Sequence, residues 1–342
     1  LVDVVASTLR DLGRPNYEPL MTDIQDFTAF NNLLDKTRVG EQTGGYGVQW
    51  NVAMNNSGTA RNVGFGGQDN PKIVSTMVQA QADWRGITAD YSFLAEEISM
   101  NMDREEQIVD LVAERRVATL YAIAELFEAD FWGPPVASTD SVTPWGVNTW
   151  LQKAATEGFT GLMPSGYTSL GLSATTYPRW RNYAGPYTNV TFDDLIRKWR
   201  RANRKVVFKP PVGGIPQPGG GMVNFGYYTN EAVLNTLEEL LQSQNENIGR
   251  DLNRFGGETQ FNSTGVKWVP YLDRDTTGPL YGINWTKFKT KVLRGWWLRE
   301  TNVPNYPGQH TMSAHFLDCR FQPVTFNRRT HYVLSTGTSY PS

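Results

Sequence analysis

Two runs of alternating residues constrain this chain more than any other feature. Tyr46, Val48, Trp50, Val52 and Met54 alternate with Gly47, Gln49, Asn51 and Ala53. A period of two gives a strand one apolar face. Val74, Thr76, Val78, Ala80, Ala82 and Trp84 repeat the pattern after a turn-rich stretch containing Gly58, Gly64, Gly66, Gly67 and Pro71. The arms predict one long β-hairpin reaching about 40 Å at the usual strand rise. A lone hairpin is marginal in water, and nothing adjacent in sequence supplies a third strand. Its apolar face therefore takes cover from elsewhere, either from another part of the chain or from a neighbouring subunit.

A long helical pattern follows over 95–132. Ile98, Met102, Val109, Val112, Leu120, Ile123, Phe127 and Phe131 recur at threes and fours, the spacing of one helix face. Glu96 and Glu97 stand in the first turn, where they favour the positive end of the helix dipole. Gly133, Pro134 and Pro135 stop the helix. At the α-helical rise it spans roughly 55 Å, against an average of about three turns. Glu105 and Arg116 interrupt its apolar faces, so it is a beam rather than a coiled-coil seam.

The rest reads as α+β. Residues 1–43 hold two short helical patterns, one on Val4, Val5 and Leu9 and one on Phe27, Phe30, Leu33 and Leu34. Both are too short to stand alone. Residues 133–190 show no sustained period. Thr191 and Asp194 then form a capping-box pattern, with Val190 and Leu195 as a hydrophobic staple, opening a helix on Leu195, Ile196, Trp199 and Val206. A Pro/Gly-rich linker covers 210–221. Strand patterns appear at 222–228, 266–272, 280–285, 289–293, 311–320 and 324–334. A helix capped by Thr229 or Asn230 carries Val233, Leu234, Leu237, Leu240, Leu241 and Ile248 on one face.

Chemistry is harder to find. The chain has 342 residues, enough for two lobes. Its 32 basic and 34 acidic side chains leave a net charge of −2, without the basic excess of a dedicated nucleic-acid binder. A single cysteine, Cys319, excludes an internal disulfide and a thiolate zinc site. No apolar run approaches membrane-spanning length, and the first residues do not read as a signal peptide. His310, His315 and His331 lack metal-ligand spacing, and His315 with Cys319 on one strand lies too far apart for a nucleophile pair. The glycine clusters lack the Gly-Lys-Ser/Thr that grips phosphate. Glu96 with Glu97 and Glu105 with Glu106 are adjacent helical positions that do not face each other. The 11 tryptophans are scattered, which suits packing better than sugar stacking. The strongest charge run, Arg197, Lys198, Arg200, Arg201, Arg204 and Lys205, makes a basic helix. It faces solvent, a neighbouring subunit or, by weak non-specific contact, DNA phosphates.

The order of these parts resembles the Hong Kong 97-type major capsid protein of tailed bacteriophages. So do the stretch 91–132, Trp180-Arg181-Asn182 and Asn327-Arg328-Arg329-Thr330-His331-Tyr332. The resemblance covers nearly the whole chain. It implies an N-terminal arm at 1–43, an extended loop (E-loop) at 44–90 and a peripheral domain at 91–208 with its spine helix at 95–132. It implies an axial domain at 209–310 and closing strands at 311–342 that return to the peripheral domain. Tyr46, Val48, Trp50, Val52, Arg61, Lys72 and Trp84 would be inter-subunit contacts of the E-loop. Arg197, Arg200, Arg201 and Arg204 would face a neighbour or DNA. The implied function is a virion shell subunit, assembled in the host cytoplasm into pentamers and hexamers around double-stranded DNA. Scaffolding, portal and decoration proteins would be its partners, and no enzyme activity, cofactor or metal is implied. Two alternatives stay open: a cellular nanocompartment shell on the same fold, and a carbohydrate-binding or carbohydrate-active protein.

Overall fold

The computed structural model describes residues 39–54, 58–65, 73–100, 105–164, 166–167, 172–206, 225–245, 259–261, 264–304, 307–308 and 311–341. The expected N-terminal helices, Lys72 and the Pro/Gly-rich linker lie outside them. The described chain opens with β1 (Val39–Gln42), β2 (Gly47–Ala53), β3 (Met77–Asp83) and β4 (Arg85–Leu94). The predicted hairpin is present: β2 and β3 pair antiparallel from Gly47 opposite Asp83 to Ala53 opposite Met77. The second strand starts at Met77, later than the alternation at Val74 suggests, though the Met54 N–H still donates to the Thr76 carbonyl at 3.0 Å.

The predicted beam is described as α1 (Ala95–Met100) and α2 (Glu105–Trp132). Its buried face carries Ile123, Phe127, Phe131 and Trp132, at the helical spacing read from sequence. Asn148 secures the end of α2 by donating to the Trp132 and Gly133 carbonyls at 2.7 and 2.9 Å. These carbonyls have no partner within the helix. Asn148 belongs to a helical turn, Val147–Trp150, inside the stretch that shows no period in sequence.

The chain continues through β5 (Gly158–Gly161), β6 (Asn182–Pro186), a π-helical turn at Phe192–Ile196 and α3 (Arg197–Val206). Next come β7 (Phe225–Thr229), α4 (Glu231–Asn245), β8 (Gln260–Phe261), β9 (Thr264–Trp268) and β10 (Leu280–Asn284). β11 (Phe288–Leu293), β12 (Arg299–Val303), β13 (Met312–Thr325) and β14 (Tyr332–Ser335) close the fold. The Thr191 cap forms, its hydroxyl accepting from the Asp194 N–H at 3.3 Å. Asp194 does not return the bond to Thr191; it accepts from the N–H groups of Thr188 and Asn189. Asn230 is the cap of α4, accepting from the Val233 N–H.

Two larger sheets organise these strands. One runs β1, β11, β13, β12, with β4 along the other edge of β13. β13 carries the first expected strand, 311–320, on through Pro323 to Thr325, and the second, 324–334, is broken by the turn at Arg328–Thr330, its end forming β14. Pro323 is tolerated because β4 stops opposite Phe321, leaving β13 with β11 as its neighbour. The other sheet runs β5, β6, β14, β10, β7, β9, β8. The expected boundaries need correction here. β11 and β12, expected in the axial lobe, join β13, while β14, expected to return with β13, enters the other sheet between β6 and β10. α3 packs on β6 and β14, so it belongs with that second sheet. Sequence periodicity locates strands but not their partners, which explains the error.

The seven-stranded sheet is apolar on both faces. Tyr228, Tyr281, Ile283 and Val333 join the core under α2, whereas Tyr227, Leu280, Tyr332 and Leu334 join a second core under α3 and α4. The C-terminal end of α2 bridges the two sheets. Phe127 meets Phe321 on β13, Phe131 meets Phe288 on β11, and Trp132 meets Tyr228 and Tyr281.

Two sequence stretches singled out above meet at one buried point. Arg328 is fully buried and donates to the carbonyls of Trp150, Trp180 and Gly161 and to Asn182 Oδ1, at 2.6 to 3.3 Å. Burial lowers its pKa to about 9. Nearby, His331 Nδ1 accepts from the Asn284 N–H at 3.0 Å, so Nε2 carries the proton toward Thr325 Oγ1. Burial, with the Arg328 charge, pushes the His331 pKa down to about 3. A buried ion pair between Lys153 and Asp275, at 2.5 Å, ties in the C-terminal residues through the Ser339 carbonyl.

Candidate assembly surface

The hairpin divides into a docked base and an exposed tip. Val48, Trp50, Ala80 and Ala82 are buried in the core of their own chain. The Trp50 ring lies 6.1 Å from Trp150 and 5.9 Å from Phe326. The expectation that a neighbouring subunit shelters Val48 and Trp50 is therefore corrected. The helical turn ending in Trp150 and the bend at Phe326 cover that face, and neither is adjacent to the hairpin in sequence. Val52 and Trp84 are partly buried against the same core. Trp84 donates its indole N–H to the Gly45 carbonyl at 2.8 Å. The opposite face carries a polar ladder in which Gln79 donates to Gln49, Gln49 to Gln81 and Gln81 to Asp83.

Beyond the base, apolar groups face solvent. Tyr46 at the root and Phe65 and Ile73 at the tip are almost wholly exposed, and Val63, Val74 and Met77 are more than two-fifths exposed. Arg61 is exposed among them. Sequence reasoning nominated Tyr46 and Arg61 but missed Phe65, Ile73 and Met77. The missed signal was an apolar residue inside a Gly- and Asn-rich turn, where local structure gives it nothing to pack on.

The basic helix α3 is amphipathic. Trp199, Ala202 and Val206 are buried. Arg197 pairs with Asp193 in solvent, Arg201 pairs with the half-buried Glu157, and Lys198 pairs with Asp194. Arg200, Arg204 and Lys205 are exposed and make no ion pair among the described residues.

Elsewhere the titratable groups are tied into the framework. An open cleft of roughly 540 Å³ is lined by Tyr91, Phe93, Leu94, Glu97, Arg115 and Met312. Its carboxylate is locked by Arg115 at 2.9 Å, which, against the cost of burial, holds Glu97 at a pKa of about 2. Burial, then the nearby Asp140 charge, raises Asp130 to about 6. Asp140 cannot join it as an acid–base pair, because its oxygens hold the turn at Val142 and Thr143. His315 stacks on Tyr91. Burial pushes the Cys319 thiol up to about 11, away from nucleophilic chemistry. Among the described residues no group of three or more His, Cys, Asp or Glu could hold a metal. No described helix is long and apolar enough to cross a membrane.

No family sequence model matches the chain, and no curated protein matches it by sequence. Solved structures do. The capsid subunit of cyanophage A-1(L) matches over 96% of this chain and 98% of its own, with a TM-score of 0.64 at 14% identity. The capsid of Myoviridae phage XM1 matches over 95% and 97%, with a TM-score of 0.55 at 11% identity. The capsid of a native GTA particle matches over 97% and 98%, with a TM-score of 0.54 at 12% identity. The chain has the Hong Kong 97-like capsid fold. The β2–β3 hairpin lies within 44–90, and α1 and α2 lie within 95–132, the ranges expected from sequence for the E-loop and the spine helix. The carbohydrate-active alternative finds no support among these neighbours.

Proposed function

We propose that this chain is a major capsid protein, a shell subunit of a tailed bacteriophage that works by binding copies of itself and catalyses no reaction. The observation that carries the reading is the exposed apolar tip on a rigidly docked hairpin. Phe65, Ile73, Val74 and Met77 lie outside their own core and are exposed. Exposed apolar groups clustered at one place mark an interaction site. The end-to-end match to capsid subunits supports the identity of the partner, since those neighbours are capsid assemblies. Tyr46, Arg61 and Lys72 join the contact, and Val52 and Trp84 fix the root of the hairpin.

A tip that enters a different surface on the next subunit makes a head-to-tail contact, which closes into rings and, on a curved lattice, into pentamers, hexamers and a shell. Many weak repeats add up to a strong particle. In this reading 1–43 is the N-terminal arm, β4, α2, β13 and their partners form the peripheral domain, and the seven-stranded sheet with α3 and α4 forms the axial domain. The shell forms in the host cytoplasm with scaffolding and portal proteins, with or without a decoration protein, and encloses DNA as the virion capsid. Expression of the full chain tests this. Large uniform particles by light scattering and negative-stain microscopy are expected, and a monomer under every assembly condition would overturn the proposal.

A further inference from the structure

Resting on that reading, we infer that the basic face of α3 docks on the acidic face of α4 in a second copy of this chain. Arg200, Arg204 and Lys205 lie along the outer side of α3, with no counter-ion among the described residues. On α4 the exposed positions include Glu231 and Glu239, which make no side-chain ion pair among the described residues. Asp273 extends this acidic surface beside the start of α4, where it accepts from the Glu231 N–H at 2.8 Å.

Both helices cover the same face of the seven-stranded sheet. Trp199 and Val206 of α3 share one core with Val233 and Leu237 of α4. They rest on different strands, α3 on β6 and β14 and α4 on β9. The lobe therefore displays a positive ridge and a negative ridge in one layer. Two unlike patches on one surface are what a head-to-tail contact between copies requires. The complementary charges set register and suppress wrong pairings more than they add raw affinity.

A polyanion fits the same surface less well. Glu231, Glu239 and Asp273 would repel phosphates beside the cations. Arg197, Lys198 and Arg201 are already neutralised within the chain. The net charge of −2 adds no long-range attraction.

Charge reversal in the full-length chain tests the pairing, with particle yield read by sedimentation and microscopy and subunit folding by thermal melting. R200E/R204E and E231K/E239K should each lower particle yield roughly tenfold, because a small loss repeats at every contact, with the subunit melting temperature unchanged. Combining the four substitutions should restore yield. A combined variant no better than either double would overturn the inference. So would undiminished yield in R200E/R204E, whether the particles keep their DNA, with α3 facing solvent, or lose it, with α3 facing DNA. If the wild-type chain makes no particles at all, the shell reading itself has failed, and the pairing falls with it.

Discussion

Replacing Trp50 with alanine separates the two ways of covering the hairpin. Trp50 is 8% exposed and packs on Trp150 and Phe326 of its own chain. Burying an indole removes about 200 Å² from water, worth about 5 kcal/mol at the usual coefficient. One correction runs the other way. The indole N–H is buried with no acceptor among the described residues, and losing such a donor returns about 1 kcal/mol. The net loss is about 4 kcal/mol, within the range for truncating a large core aromatic and a large part of ordinary folding stability. Trp50→Phe keeps most of the contact and sheds the unpaired donor, so it should cost only about 1 kcal/mol. Urea unfolding of the unassembled subunit, followed by tryptophan fluorescence and far-UV circular dichroism, measures both. If Trp50→Ala leaves the subunit as stable as wild type while particle yield collapses, the reasoning is refuted, because a neighbour rather than this core would then be covering the ring.

Three further outcomes follow from the same structure. The double substitution Phe65→Ser and Ile73→Ser should leave subunit melting within about 0.5 kcal/mol of wild type, since surface positions carry little stability, while particle yield falls; a lower melting temperature would show that the tip packs on its own chain. Arg328→Ala should cost at least about 4 kcal/mol by orphaning three carbonyls and Asn182 Oδ1 at once, and a urea midpoint close to wild type would contradict the hub. For His331 the folded pKa of about 3 lies below the unfolded value of 6.5. The unfolded chain therefore binds the proton first, and stability falls as pH drops from 6.5 toward 3, by about 1.4 kcal/mol per unit. His331→Asn should flatten that acid slope in urea titrations between pH 7 and 5, and an unchanged slope would assign it to other groups.

The hairpin, the helical face of α2 and the Thr191 and Asn230 caps were readable because each is local. Alternation, threes-and-fours spacing and a capping side chain all act within a few residues. What sequence could not show is long-range pairing. Nothing near Val333 announces that β14 lies between β6 and β10, and nothing near Phe288 announces that β11 joins β13. Arg328 is an instructive case. The stretch around it and the stretch around Trp180 were both singled out, but only the fold reveals that one guanidinium ties them together. At the candidate site, Trp50 was correctly seen as a residue in need of cover and wrongly assigned its cover, because an apolar face carries no mark of which surface buries it.

That misassignment explains how the hairpin can work. An arm that needed a neighbour to bury Val48 and Trp50 would be unfolded in the free subunit, and assembly would have to order it. Each ordered residue costs about 1–2 kcal/mol of backbone entropy, so the β2 and β3 arms together would consume more than a modest interface returns. Docking the base in its own core removes that cost before any encounter. The exposed groups around Phe65, Ile73 and Tyr46 then remain to be covered, and an arm whose base is already docked spends less of its binding energy on ordering. The base gives the arm its aim and the tip gives it a partner, so substitutions at Trp50 and at Phe65 should affect different measurements, folding in one case and assembly in the other.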